Sequence, residues 1–355
     1  MADQEMQKIQ DPLEETWEER TLNLLYDSKI DQAFSAAKMG KKRRSRSHSV
    51  KRMMKKPMAI PEVILELQLE YSRESALRCL SNFLLEKRED DPENYCRTGC
   101  MLYFSCSTMT LLLQEVQIFL ALMADDFLTV RSCNRLINVL TLFQCIAANN
   151  ETRHKFVESG IPNFLVPLLL FKTSLEKFEN VRVVALSVFG ILCQAREPKI
   201  IQWALRSNLV ETSCIVLEIG NELSKVIGMH IIEAILKHDM GKSYICSPYN
   251  DCLLARLTRT WDHLITLLAM DLEFSPRLLF HIVRCYVLLC TDSRGTNAVR
   301  ENLSSHFVDG SFDDAIEEFP IIKSLVEQLL LTVGRTQDTC FLSLPEDEIF
   351  YEPNL

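Results

Sequence analysis

Two turn sequences a fixed distance apart limit what this chain can fold into more than any other feature. Ser159-Gly160-Ile161-Pro162 is followed by apolar residues at Phe164, Leu165, Leu168 and Leu169. Ser207-Asn208-Leu209-Val210 comes 48 residues later and is followed by Cys214, Val216 and Leu217. Each turn follows a short helical segment and precedes a longer apolar one. A three-helix unit recurring every ~40–47 residues is the rhythm of armadillo-type repeats. One such unit cannot bury its apolar face alone, so neighbours stack into a continuous core.

The longer segments carry apolar residues three and four apart, the spacing of a helix face. One starts at Ser72 and runs through Ala76, Leu77, Leu80, Phe83 and Leu84. Others span Ser132–Ala148, Glu179–Gln194, Asn221–Lys237 and Ser275–Leu289. Pro276 falls in the first turn of the last, where its missing N–H costs little. Almost no segment alternates as a strand does. The span 61–335 has 275 residues, room for about six units. The expected fold is all-α, an armadillo-like helical solenoid of about six repeats. Residues 1–60 read as a poorly ordered leader with one apolar patch (Trp17, Leu22, Leu24, Leu25, Tyr26), and 336–355 as an acidic tail.

Charge is unevenly placed. Residues 41–56 hold nine basic side chains and no acidic one. The remainder carries 30 basic against 48 acidic groups, a net −18. A body this acidic is not basic over a whole face, as a DNA-binding body usually is. The basic run reads as a nuclear-localisation address or a tethered electrostatic arm. The polar N-terminus is unlike a secretory signal, and no apolar stretch reaches ~18 residues, so no membrane span is expected. The 13 cysteines are odd in number, which argues for free thiols in a reducing compartment. Cys145, Cys193, Cys214, Cys285 and Cys290 lie in apolar runs and read as small core residues. Cys96, Cys100 and Cys106 lack paired spacing and a nearby histidine, so no metal is expected there.

No phosphate loop, dinucleotide fingerprint, zinc-protease or nucleophile-elbow motif occurs, and no catalytic residue or cofactor is assigned. His230 and His238, eight apart, read as surface or core histidines. Arg277 and Arg284 are seven apart on one helix face, and Arg294 begins the next helix. Three guanidiniums on adjacent ridges suit phosphates or carboxylates; the alternative is a charged rim paired with local Asp or Glu. Arg135 and Arg182, inside apolar helices, read as braces between neighbouring repeats.

Several stretches together resemble a known family. Ser132–Thr152, Glu222–Cys246 and Arg277–Leu289 are similar to the cell-differentiation (Rcd-one-like) family, also called Caf-forty, subunit nine of the CCR-NOT deadenylase complex. Arg-Cys-Tyr at 284–286, Glu-Leu-Ser-Lys at 222–225 and Asn-Arg at 134–135 make the combination specific. The resemblance covers about residues 61–303. It implies six armadillo-like units with no enzyme activity. It implies an adaptor on a NOT-family scaffold, binding short motifs of mRNA-silencing proteins and, through a basic groove, single-stranded nucleic acid. Self-association as a homodimer and residence in cytoplasm and nucleus are implied as well.

Carried over residue by residue, the basic groove maps to Arg277 and Arg294, beside Arg284. The peptide or tryptophan pocket maps to Leu223, Val226 and Tyr249. Asn180, Ser187 and Asp251 stand where the family usually has Tyr, Gly and Arg. An aromatic wall and a cation are therefore missing. The scaffold contact maps to Tyr103, Phe104 and Cys106, in place of a Trp-His-Ser-Phe run, and to Thr110 in place of alanine. The alternatives are a nucleic-acid-binding armadillo protein acting through Arg277, Arg284 and Arg294, and an armadillo cargo receptor, but Trp17, Trp203 and Trp261 form no ladder of the kind such receptors use.

Overall fold

A computed structural model describes residues 59–270 and 275–334. The expected leader, with its basic run, and the expected tail lie outside the described residues. Among the described residues there are seventeen α-helices and no strand. They fall into six units. The first is α1 (Ile60–Glu66) and α2 (Glu70–Asp90); the second is α3 (Pro92–Phe104), α4 (Thr108–Ala124) and α5 (Val130–Ala148). The third is α6 (Asn150–Glu158), α7 (Val166–Leu170) and α8 (Lys177–Gln194), and the fourth is α9 (Pro198–Arg206), α10 (Leu209–Ile219) and α11 (Glu222–Leu236). Then come α12 (Asp239–Ile245), α13 (Asp251–Met270) and α14 (Pro276–Leu289), and finally α15 (Ser293–Asn302), α16 (Asp313–Glu318) and α17 (Pro320–Val333).

The last helix of each unit forms a spine, with α2, α5, α8, α11, α14 and α17 each packed on the next. At mid-array α8 is buried on every side from Val181 to Cys193. A helix apolar all round belongs at such a position. The two turns that anchored the repeat share one backbone conformation: Gly160 has φ 71° and Asn208 φ 52°. Both residue types tolerate this left-handed region, which other side chains resist. A second repeated constraint lies between units. A Cβ added at Gly241 or at Gly295 would sit 2.1 Å from the carbonyl oxygen of Ile235 or Leu289 respectively. Only glycine lets the chain turn that tightly from a spine helix into the next unit.

Asn221 and Ser275 are the N-caps expected of them, accepting from the N–H groups of Ser224 and Leu278. Three other helices start two residues before the expected point. Thr129 caps α5 and Ser132 reciprocates from the third position, a capping box. Glu176 precedes α8, and Leu69 precedes α2 without any side-chain cap. Ser72 does not begin α2; its hydroxyl donates to the Glu66 carbonyl at 3.0 Å.

Arg135 braces units as expected, joining Glu115 on α4 and Glu74 on α2. Arg182 instead closes its own unit: Nε donates to the Leu169 carbonyl at 3.1 Å and the guanidinium also reaches the Phe171 carbonyl and Glu179. It thus satisfies carbonyls left over at the end of α7. Burial pushes the Cys193 and Cys214 thiols up to about 12, so both stay protonated as core residues.

Candidate functional site

Tyr103 and Phe104 close α3 with their rings edge to face, centroids 5.3 Å apart. Phe104 is 57% exposed, and the Lys155 ammonium stands 4.5 Å over its ring. Cys106 is exposed, and its carbonyl accepts from Gln68 Nε2 at 2.8 Å. Ser107, at φ 62°, then turns the chain into α4. Thr110 begins an outward stripe on α4 that continues through Gln114, Gln117, Ile118, Ala121 and Ala124.

That stripe carries no charge. The single ionisable residue of α4, Glu115, points inward. Arg135 grips it with a fork at 2.6 and 2.7 Å, and Arg73 adds a contact at 3.4 Å. A quarter of the chain is charged (25%), so a solvent-facing helix of 17 residues with none exposed is a marked departure. Charge depletion beside aromatic residues is the signature of an interface core. A cleft of about 340 Å³ borders the stripe, with Ile118, Phe119 and Leu122 on one wall. The Arg131–Glu74 and Arg135–Glu115 pairs form the other wall. Arg131 holds the Glu74 carboxyl below its ordinary value. The sequence-based expectation named Tyr103, Phe104, Cys106 and Thr110 and did not include the stripe; the signal for it was one charge in TMTLLLQEVQIFLALMA.

The six pocket residues fall into three places. Ser187 and Val226 are core residues. The Ser187 hydroxyl accepts from Gln144 Nε2 at 2.6 Å and faces the Val184 carbonyl, wholly between α5 and α8. Asn180 and Leu223 are half-buried near the starts of α8 and α11, helices that pack together. Tyr249, 96% exposed, and Asp251 occupy the corner entering α13.

The three arginines are differently engaged. Arg277 is half-buried in the first turn of α14. Arg284 Nε lies 3.1 Å from Glu233 Oε1, one spine helix back on α11. Arg294 forms an ion pair with Asp251, the position that the resemblance matched to a family arginine. That pair stands at a cleft of about 310 Å³ between α13 and α15, floored by Leu254, Ala255 and Ala298. The charged-rim reading therefore describes Arg284 and Arg294 as they stand. If the arginines take single-stranded nucleic acid, Asp251→Ala is expected to tighten that binding and to steepen its log–log salt dependence by about 0.7, the share of one phosphate. Superimposable titrations of the two proteins by fluorescence anisotropy would show that Arg294 reaches no phosphate.

Glu233 is the most heavily engaged side chain missed from sequence. Its Oε1 also takes Lys237 Nζ at 2.8 Å, and its Oε2 accepts from His281 Nδ1 at 2.6 Å. Burial alone pushes this carboxyl up, but His281, Arg284 and Lys237 together hold it well below the ordinary range. His230 stands beside them, edge to face with His281 at 5.9 Å, and burial keeps it neutral, down at about 3. It meets His281 rather than His238, which caps α12 by accepting from the Met240 N–H. His230, Glu233 and His281 are close enough to ligate a metal ion. Yet both carboxylate oxygens are occupied, and a divalent cation would join Lys237 and Arg284 against one negative charge. The cluster is a charged clamp between α11 and α14.

Long uninterrupted helical faces on a stacked core define a helical solenoid of the armadillo class. Two designed armadillo repeat proteins superpose on it, one with a TM-score of 0.52 at 14% identity over 77% of this chain and 99% of its own. The other has a TM-score of 0.51 at 16% identity over 78% of this chain and 100% of its own. A profile of the cell differentiation family, Rcd1-like, matches residues 63–333, and the chain belongs to that family. The cell differentiation protein rcd1 of Schizosaccharomyces pombe is 32% identical over 278 residues, 78% of this chain and 94% of that protein. Protein CAF40 of Saccharomyces cerevisiae is 30% identical over 242 residues, 68% of this chain and 64% of its own length.

Proposed function

We propose that this chain is a non-catalytic adaptor of the CCR-NOT mRNA-deadenylation machinery. It docks on a NOT-family scaffold through the end of α3 and the outer stripe of α4, and holds mRNA-bound partners elsewhere on the array. The observation that carries this reading is the uncharged stripe continuing from the exposed Phe104. Family membership supplies the kind of partner. Tyr103, Phe104 and Cys106 give the end of α3 an apolar character, although they and Thr110 differ in shape from the family's residues. Short motifs of mRNA-silencing proteins have Asn180, Leu223, Tyr249 and Asp251 as their accessible contacts, since Ser187 and Val226 are core.

The test is association with a purified NOT scaffold fragment. Full-length protein should co-elute with the fragment at concentrations of about 1 µM, in the range of transient regulatory complexes. Separate elution at tenfold higher concentration would end the scaffold-subunit reading for this chain.

A further inference from the structure

The first unit of the array leaves an apolar corner open. The end of a solenoid has no neighbour to cover it, and stable arrays close their ends with a cap. Here α1 has seven residues. Leu65 is 66% exposed, Leu69 44% and Tyr71 87%, all at the junction of α1 with α2. Single exposed hydrophobic residues are ordinary, but three within seven positions at one end of a stack make a patch. The corner is held in shape rather than frayed. Arg73 Nε donates to the Leu67 carbonyl at 2.9 Å, and Gln68 Nε2 reaches the Cys106 carbonyl at 2.8 Å.

The chain outside the described residues joins Ala59 at the start of α1, one short helix of about 10 Å from this corner. Within that chain, Thr21–Tyr26 is free of charge and contains Leu22, Leu24, Leu25 and Tyr26. The 32 residues between Tyr26 and Ala59 would span about 30 Å on average, which keeps the local concentration of the stretch near the millimolar range. Charge agrees with the contact. Glu62, Glu66 and Glu70 flank the corner and are exposed. Thr21–Tyr26 itself holds no acid, although Glu18, Glu19 and Asp27 flank it, and the nine basic residues of 41–56 lie between it and α1 to offset them. The family profile begins at residue 63, so the leader lies outside what this chain shares with its family.

We infer that the leader stretch Leu22–Tyr26 docks in cis on the corner formed by Leu65, Leu69 and Tyr71 and closes the open end of the array. Through the Gln68–Cys106 hydrogen bond the covered corner borders the Tyr103–Cys106 run. Docking needs no scaffold, so it stands or falls separately from the adaptor reading.

Hydrogen exchange of peptides covering residues 62–72 tests it. Full-length protein is compared with a Leu22→Asp/Leu24→Asp/Leu25→Asp variant, whose changes lie outside the array. Loss of docking is expected to speed exchange there about tenfold, with peptides across α8 unchanged. Leu65→Asp, at an exposed position, should reproduce the effect from the other side. Equally fast exchange in all three proteins overturns the proposal. Slow exchange that persists in the leader variant also overturns it. If such exchange varies between about 1 and 20 µM protein, the occupant is a second copy.

Discussion

Glu233→Ala is expected to lower the free energy of unfolding by about 3–5 kcal/mol, because removing one partner of a buried charge cluster strands the others. Glu233 is almost wholly buried, and His281 beside it equally so. Arg284 and Lys237 keep 29% and 27% of their side chains exposed and can turn toward water. The loss therefore comes mainly from His281 and from the volume vacated between α11 and α14. Glu233→Gln keeps that volume and should cost less, about 1–2 kcal/mol. The pH dependence follows from the carboxyl being held well below 4.5. Its contribution is fully present above that value and fades as pH falls through the folded-state value. Urea unfolding at pH 7 and pH 4 should show a wild-type acid-side decline that is shallower in Glu233→Ala. A variant within about 0.5 kcal/mol of wild type, the range of ordinary surface changes, would remove the clamp from the account of stability.

That clamp marks where sequence reading stops. The repeat was legible because helix periodicity and left-handed turns are local: Gly160 and Asn208 announce the same turn within four residues each. The core residues of α5, α11 and α14 followed from spacing, whereas α8, buried on every side, has no one face to read. Starts were less legible, since periodicity fixes a face and not a first turn. Leu69 opens α2 with no capping chemistry to read. Long-range pairing was legible for Arg135, read as a brace, but not for Arg284 or Arg294. Arg284 meets an acid on the previous spine helix, and Arg294 meets one on α13. Neither partner lies near its arginine in sequence, so both looked available for phosphate. Ser187 and Val226 were assigned to a pocket by analogy, yet they lie on spine helices whose inward faces the neighbouring units cover.

The outer stripe of α4 yields the second large effect. Phe104→Asp with Ile118→Asp is expected to weaken capture of the NOT scaffold fragment at least about 100-fold, the size of two central apolar anchors lost and two charges desolvated. Both side chains are more than half exposed, Phe104 at 57% and Ile118 at 54%. Stability should therefore stay within about 0.5 kcal/mol of wild type, as for most surface substitutions. Met270→Asp, at an equally apolar and exposed position on α13, serves as the control and should leave capture unchanged. The comparison separates a specific face from general stickiness. Affinity lost equally in both variants would mean that any exposed apolar residue contributes. Affinity kept in the double variant would move the scaffold contact off α4, and the missing charge on that helix would then need another partner to explain it.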